Sequence, residues 1–225
     1  MVPDLGAPIL MLVTDRSAVK PVVHDTDVSC EQLLGLVEAW ANAGVDIVHI
    51  RESTLPDRQL VALVRQARGR VLGDRGCIVV NDRPDIALAA GADGVHLKDD
   101  AIPVSRIRAL GPPTWLVGRS IHDLAGAERA AREGGIDYLL VGAVHATPAK
   151  PGRAILGLDG LHRIARAVNL PVVAIGGLGF DEAQALADTG AAGMAGIRLF
   201  CDGTAASSED RLARVRTARR VFSIV

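Results

Sequence analysis

His122 closes the run Gly118-Arg-Ser-Ile-His122, and imidazole is the side chain whose ordinary titration lies nearest neutrality. If a helix begins near Ile121, the positive end of its dipole keeps that ring neutral and ready to accept a proton. A second signal is Gly176-Gly177, which ends the apolar run Pro171-Val-Val-Ala-Ile175. Paired glycines let backbone N–H groups turn toward an anion, and at the end of a parallel strand they make a seat for phosphate. A neutral base beside a phosphate seat suits proton transfer on a phosphorylated small molecule. Lys150, with Thr147, lies between Gly142 and Gly157 in a stretch punctuated by Pro148 and Pro151, and reads as a cation on a lid that closes over an anionic substrate. Plainer readings stand beside these: a tight turn without a ligand, a histidine filling a first helical turn, a solvated lysine.

Residues so far apart meet only if regular elements bring them to one place. Apolar runs at Ile9–Val13, Val45–Ile50, Cys77–Val80, Gly94–Leu97, Trp115–Val117, Tyr138–Val141, Pro171–Ile175 and Ala192–Ile197 read as strands buried on both faces. Helical stripes separate them, the first opening at a Ser29/Gln32 capping box and closing at Gly44, the second opening at Pro56 and running to about Arg68. A helix-start signal sits at Asp181, another helix begins at about Leu158, and the last runs from about Ala205 to Val221. Ala43-Gly-Val-Asp46, Ala90-Gly-Ala-Asp93, Gly134-Gly-Ile-Asp137 and Thr189-Gly-Ala-Ala192 recur before the even-numbered strands, each interval fitting two strand–helix units. Eight alternations predict an α/β protein, a single-domain (β/α)₈ TIM barrel over residues 1–225. A doubly wound open sheet is the alternative, but no Gly-x-Gly-x-x-Gly follows the first strand.

Composition narrows the function. The net charge is −1 and aromatic residues make up 3% of the chain, so there is no basic face with interleaved rings to suit nucleic acid. Cys30, Cys77 and Cys201 form no Cys-x-x-Cys pair, which argues against a disulfide framework or a zinc site and for a reducing compartment. The chain shows no signal-peptide order and no apolar run of membrane length, so a cytoplasmic protein with a small ligand and no membrane partner is expected. Association into a homo-oligomer is left open.

In a barrel of this kind the loops after the strands build the active site. Those positions hold Asp15 and Arg16, His49 to Glu52, Asn81 to Arg83, His96 to Asp100, Ser120 with His122, Thr147 with Lys150, Gly176-Gly177, and Arg198. Against a binding role, Glu52 can pair with Arg51 at the rim, Asn81-Asp82-Arg83 can cap the third helix, and His96 can be a hydrogen-bonded core histidine. His24 and His162 read as solvated, His145 is open, and Cys77 reads as core.

Together the segments Leu12-Val-Thr-Asp-Arg16, Val48-His-Ile-Arg-Glu52, Asn81-Asp-Arg-Pro-Asp85, Gly91-Ala-Asp-Gly-Val-His-Leu97, Gly118-Arg-Ser-Ile-His122, Val141-Gly-Ala-Val-His-Ala-Thr-Pro-Ala-Lys150 and Val173-Ala-Ile-Gly-Gly177 resemble the thiamin phosphate synthase/TenI family of (β/α)₈ barrels. The resemblance implies a phosphorylated thiazole as substrate, bound by His49, Arg51, Asn81, Asp82, Ser120, Thr147 and Lys150, with its phosphate on Gly176, Gly177, Gly196 and Ile197. Two enzymes are implied. The synthase joins an aminopyrimidine pyrophosphate to thiazole phosphate with Mg²⁺; its metal residues here would be Asp82 and Asp100. However, Ser53 stands where the synthase pattern has a pyrophosphate-binding lysine, Ala101 stands at a metal aspartate position with Asp99 and Asp100 one or two residues away, and the segment after the eighth strand is one residue short. His-Ile-Arg-Glu and Gly-Arg-Ser-x-His look closer to the TenI-like thiazole tautomerases. That branch implies no cofactor or metal, and His122 as the acid/base that aromatises a carboxythiazole phosphate. A third reading is a non-catalytic thiazole or thiamin phosphate-binding regulator.

Overall fold

The computed structural model describes residues 8–19, 25–71, 76–146, 154–201 and 207–223. Its strands are β1 (Ile9–Val13), β2 (Ile47–Ile50), β3 (Cys77–Asn81), β4 (Gly94–Leu97), β5 (Leu116–Ile121), β6 (Tyr138–Val141), β7 (Val172–Ile175) and β8 (Gly193–Gly196). They pair in chain order, all parallel, and β8 returns to β1 through Ile9↔Gly193 to Leu12↔Gly196, so the barrel is closed. Between and after them lie α1 (Thr26–Ala43), α2 (Asp57–Arg70), α3 (Pro84–Ala90), α4 (Val104–Leu110), α5 (Leu124–Glu133), α6 (Gly157–Ala167), α7 (Ala183–Asp188), α8 (Arg198–Cys201) and α9 (Ser208–Phe222). Among the described residues no helix is long and apolar enough to cross a membrane.

Alternation along the strands creates two cores. Ile9, Met11 and Val13 of β1 point inward with Val79, Leu116 and Val173, whereas Leu10 and Leu12 join Val48, Val80 and Val117 beneath the helices. Each such side chain, taken fully out of water, contributes about 1.5–3 kcal/mol before chain entropy is counted.

The sequence repeat has a structural job. Asp46, Asp93 and Asp137, each just before or at the start of an even-numbered strand, accept the backbone N–H of Leu10 (2.8 Å), Ile78 (2.8 Å) and Val117 (2.6 Å) on the preceding odd strand. Each also meets a helix arginine: Arg219 with Asp46, Arg68 with Asp93 at 3.0 Å, Arg108 with Asp137 at 2.6 Å. Strand starts and helix ends are thereby fastened at the floor, the face opposite the loops that follow the strands.

Several boundaries differ from the sequence reading. Helix α1 starts before Ser29, because Asp25 accepts the N–H groups of Asp27 and Val28, both at 3.0 Å, while Ser29 is buried and bonds the Thr26 carbonyl instead. Around Asp181 the chain makes a 3₁₀ turn (Phe180–Glu182) before α7. A short α8 precedes the C-terminal helix, which opens at a Ser207/Asp210 capping box. Strand β5 runs on to Ile121, three residues beyond the glycine that looked like its end. A Cβ on Gly118 would lie 2.1 Å from the Tyr138 ring, so this glycine makes room for an aromatic ring inside the barrel and does not break the strand.

Candidate active site

The extension of β5 decides where His122 sits. Its motif is a strand alternation: Gly118, Ser120 and His122 alternate with Arg119 and Ile121, which lie on the helix side. Arg119 is buried and pairs with Glu133 of α5 while facing the carbonyls of Ala101 and Ile102, a structural role. The helix-dipole expectation for His122 is therefore corrected. Helix α5 begins at Leu124, capped by Asp123, whose carboxylate accepts the Gly126 N–H at 2.6 Å, and His122 stands before that cap. What fixes the ring is Gly142: Nδ1–H donates to its carbonyl at 2.7 Å, leaving Nε2 with the lone pair.

The same segment touches the double glycine. The N–H groups of Val144 and His145 bond the carbonyls of Ile175 (3.0 Å) and Gly176 (2.9 Å), so the strand-six loop reaches from His122 to the strand-seven turn along one rim. Gly176 and Gly177 have φ of 106° and 71°. A Cβ on the first would lie 2.8 Å from Ala143 Cα, and on the second 2.8 Å from the Ala146 carbonyl oxygen. Only glycine fits such a turn without strain. Gly196 ends the neighbouring strand, in register one step past the Ile175↔Ala195 pair, and Ile197 leads into α8.

Inside the mouth runs a buried polar chain. His96 is buried and bonded at both nitrogens, Nδ1 to the Tyr138 hydroxyl (3.0 Å) and Nε2 to Ser120 Oγ (2.9 Å). The fully buried Tyr138 hydroxyl donates to Nδ1, which leaves the proton of the neutral ring on Nε2, donating to Ser120 Oγ. Ser120 therefore keeps its own O–H free to donate to a ligand. Burial holds His96 down at about 3, so this arrangement persists at neutral pH. The His49 ring lies tilted against His96, with 4.4 Å between ring centres and 44° between the planes, and its Nε2 meets Asn81 Oδ1 at 3.2 Å. Its pKa is likewise well below the ordinary value, through burial first, then the neighbouring His96 ring and the charge of Arg51, and its Nδ1 is buried without a hydrogen-bond partner.

Beyond that chain lies a charged rim. Asp82 has φ 52°, its N–H bonds the His96 carbonyl at 2.8 Å, and its Oδ2 accepts from Lys98 Nζ at 2.8 Å. Neither Asn81 nor Asp82 caps α3: Arg83 stands at the N-cap and reaches Asp85 and Asp57. The expected Arg51–Glu52 pair is also corrected. Successive residues diverge, so Arg51 is exposed with its charge acting on His49 and Lys98, whereas Glu52 is 5% exposed and binds Arg16, accepting its N–H at 3.1 Å. His145 Nε2 lies 2.7 Å from Glu182, and His162, exposed, donates from Nδ1 to the Thr189 carbonyl at 3.1 Å, so it is not simply solvated. Cys77 is partly buried against the interior cluster, which pushes its thiol up to about 11. Thr147, Lys150 and His24 lie outside the described residues.

The synthase resemblance implies Mg²⁺, and the donor set does not fit it. Of the two expected metal carboxylates, Asp82 is engaged by the Lys98 ammonium and Asp100 is exposed with its charge acting on that same lysine; Asp99 lies 3.9 Å from Arg129 of α5, and position 101 is an alanine. Among the described residues no three His, Cys, Asp or Glu side chains come together as a metal site.

Sequence reasoning missed Tyr138 and Lys98. Tyr138 is the only tyrosine in the chain and shares the inward parity of Leu140, a signal that it faces the mouth rather than the helices. Lys98 lies within the stretch His96 to Asp100 that the sequence places after the fourth strand, where nothing singles it out.

Comparison with known proteins identifies the family. The chain is 38% identical to a thiamine-phosphate synthase of Methanoculleus marisnigri over 224 residues, covering 94% of this chain and 98% of that one. It is 33% identical to a thiamine-phosphate synthase of Caldanaerobacter subterraneus over 211 residues, 93% and 94% of the two chains. A solved thiamine phosphate pyrophosphorylase from Pyrococcus furiosus superposes with a TM-score of 0.78 at 28% identity, over 95% and 96% of the two chains. These relatives carry the synthase name, not that of the tautomerase branch that the motif after strand five suggested. Residues 19–200 match the TMP-TENI family, described as thiamine monophosphate synthase, and the chain belongs to that family.

Proposed function

We propose that this protein is a thiamin phosphate synthase, which couples an aminopyrimidine methyl pyrophosphate to a thiazole phosphate. The observation that carries this reading is a mouth with two sides suited to anions, the glycine turn after β7 and the Arg51/Lys98 rim after β2 and β4, together with the polar chain of Ser120, His96 and His49. Kinship to chains named for that reaction extends over nearly the whole length. Gly176, Gly177, Gly196 and Ile197 seat the thiazole phosphate; Arg51 faces the pyrophosphate; Ser120, His49 and Asn81 hold the pyrimidine. Thr147 and Lys150 are assigned to the anions from sequence alone. The bond between the methylene carbon and the pyrophosphate oxygen breaks with both electrons leaving on oxygen, and the thiazole nitrogen supplies the pair for the new C–N bond. No proton changes hands, so the protein's work is positioning and charge stabilisation.

A second reading, the thiazole tautomerase, is favoured by one observation: His122, with Nδ1–H committed to Gly142, offers Nε2 as a proton acceptor. The ring would take a proton from one carbon and return it to the substrate elsewhere. Incubation with both halves, followed by oxidation of product to fluorescent thiochrome, separates the two. Thiamin phosphate formation is the expected result. No product at saturating substrates, with or without Mg²⁺, removes the synthase reading; aromatisation of the dihydrothiazole tautomer that disappears in His122→Ala would then establish the other.

A further inference from the structure

Beside Asp82, one of the two carboxylates that the synthase resemblance assigns to a metal, this chain places a lysine. Lys98 Nζ sits 2.8 Å from Asp82 Oδ2, with Asp100 and Arg51 close enough to act on its charge. The ammonium thus lies among the two carboxylates and the guanidinium of the pyrophosphate side. The Asp82 backbone is fixed in the left-handed region by the hydrogen bond from its N–H to the His96 carbonyl. Lys98 itself can move: its side chain is 61% exposed on the turn that follows β4. A flexible stem carrying a compact, always-protonated donor suits a point-charge contact to phosphate.

We infer that Lys98 is a built-in cation that takes the place of the metal, resting on Asp82 in the free protein and turning to the pyrophosphate when substrate arrives. The inference rests on the synthase reading for its reaction, though not for its anion. As the C–O bond breaks, the electron pair settles on the pyrophosphate oxygen, and the ammonium stabilises that charge without giving up its proton. The same lysine accounts for Ser53 and Ala101, since a charge supplied from β4 offsets both the missing lysine after β2 and the missing metal ligand.

The test uses the full chain freed of metal by chelation, with inorganic pyrophosphate as probe. Calorimetry should show metal-free binding to the wild type, retention within about threefold in Lys98→Arg, and weakening of about tenfold or more in Lys98→Ala, as loss of one charge-assisted hydrogen bond implies. Binding by the wild type that appears only on adding Mg²⁺, or metal-free binding unchanged in Lys98→Ala, overturns the inference. Turnover is followed separately in the same preparations. Thiamin phosphate formation that survives chelation in the wild type supports it further, and formation that strictly requires Mg²⁺ overturns it. If no thiamin phosphate forms under any condition while metal-free pyrophosphate binding still depends on Lys98, the synthase reading fails and the anion site stands.

Discussion

Ser120 depends on a ring it does not touch. The Tyr138 hydroxyl fixes the tautomer of His96, and that tautomer decides whether Ser120 meets a ligand as donor or acceptor. Ser120→Ala should weaken binding of the pyrimidine half about tenfold and also cost about 1–3 kcal/mol of stability, because the buried His96 Nε2–H loses its acceptor. Tyr138→Phe should weaken it less, several-fold, and cost about 1–3 kcal/mol of stability, because Nδ1 is left buried without a partner. Paired ligand calorimetry and urea unfolding read both; pyrimidine binding left unchanged in Ser120→Ala would show that its hydroxyl donates to no ligand. Ser120 was legible in the sequence because it sits in a motif. Tyr138 was not, because a lone aromatic residue at the start of an apolar strand reads as filling, and only pairing across β4 to β6 reveals what its hydroxyl faces.

The two ends of the strands obey different rules. At the floor, Asp137 ties the Val117 N–H to Arg108, far from the mouth. Asp137→Ala should therefore cost about 1–3 kcal/mol in urea unfolding and leave kcat/KM within about twofold, whereas a tenfold loss of activity would mean the floor reaches the site. At the mouth, Gly177→Ala forces φ 71° on a residue with a Cβ that has no room. A cost of about 1–3 kcal/mol should come with at least a tenfold rise in the KM for thiazole phosphate; strain without that rise would make the turn purely structural. The repeat ending in aspartate and the glycine pair were both visible in the sequence, since each is a local pattern with a fixed offset. The end of β5 was not, because Gly118 carries the same letter whether it breaks a strand or admits a ring from the next one. His122 was therefore found for its residue type, while its environment was wrongly attributed to a helix end.

At the scale of the whole barrel, alternation of apolar runs sufficed to foresee eight strands and closure, because each short strand buried on both faces demands neighbours on both sides. What it could not foresee was the charge left inside. Glu52, at the junction of the first two strands, is pushed up to about 7 by burial and by Asp15, against the hydrogen bonds of Thr14 and the Arg16 N–H and the charge of Arg16. The folded protein thus binds its proton more tightly than the unfolded chain, whose ordinary value is 4.5. Stability from this group is fully present below about 4.5 and falls as pH rises toward 7, by up to about 3 kcal/mol. His49 and His96, held neutral by burial, act in the opposite sense and lose stability as pH falls below their ordinary 6.5. The difference between wild type and Glu52→Gln isolates the carboxyl, because the amide keeps an acceptor for the Arg16 N–H and carries no charge. Urea unfolding at intervals from pH 5 to pH 8 should show the wild type losing ground to the variant steadily across that window. A difference that stays constant would mean Glu52 is ionised throughout, held by Arg16 as a true ion pair, and the variant would then be the less stable at every pH.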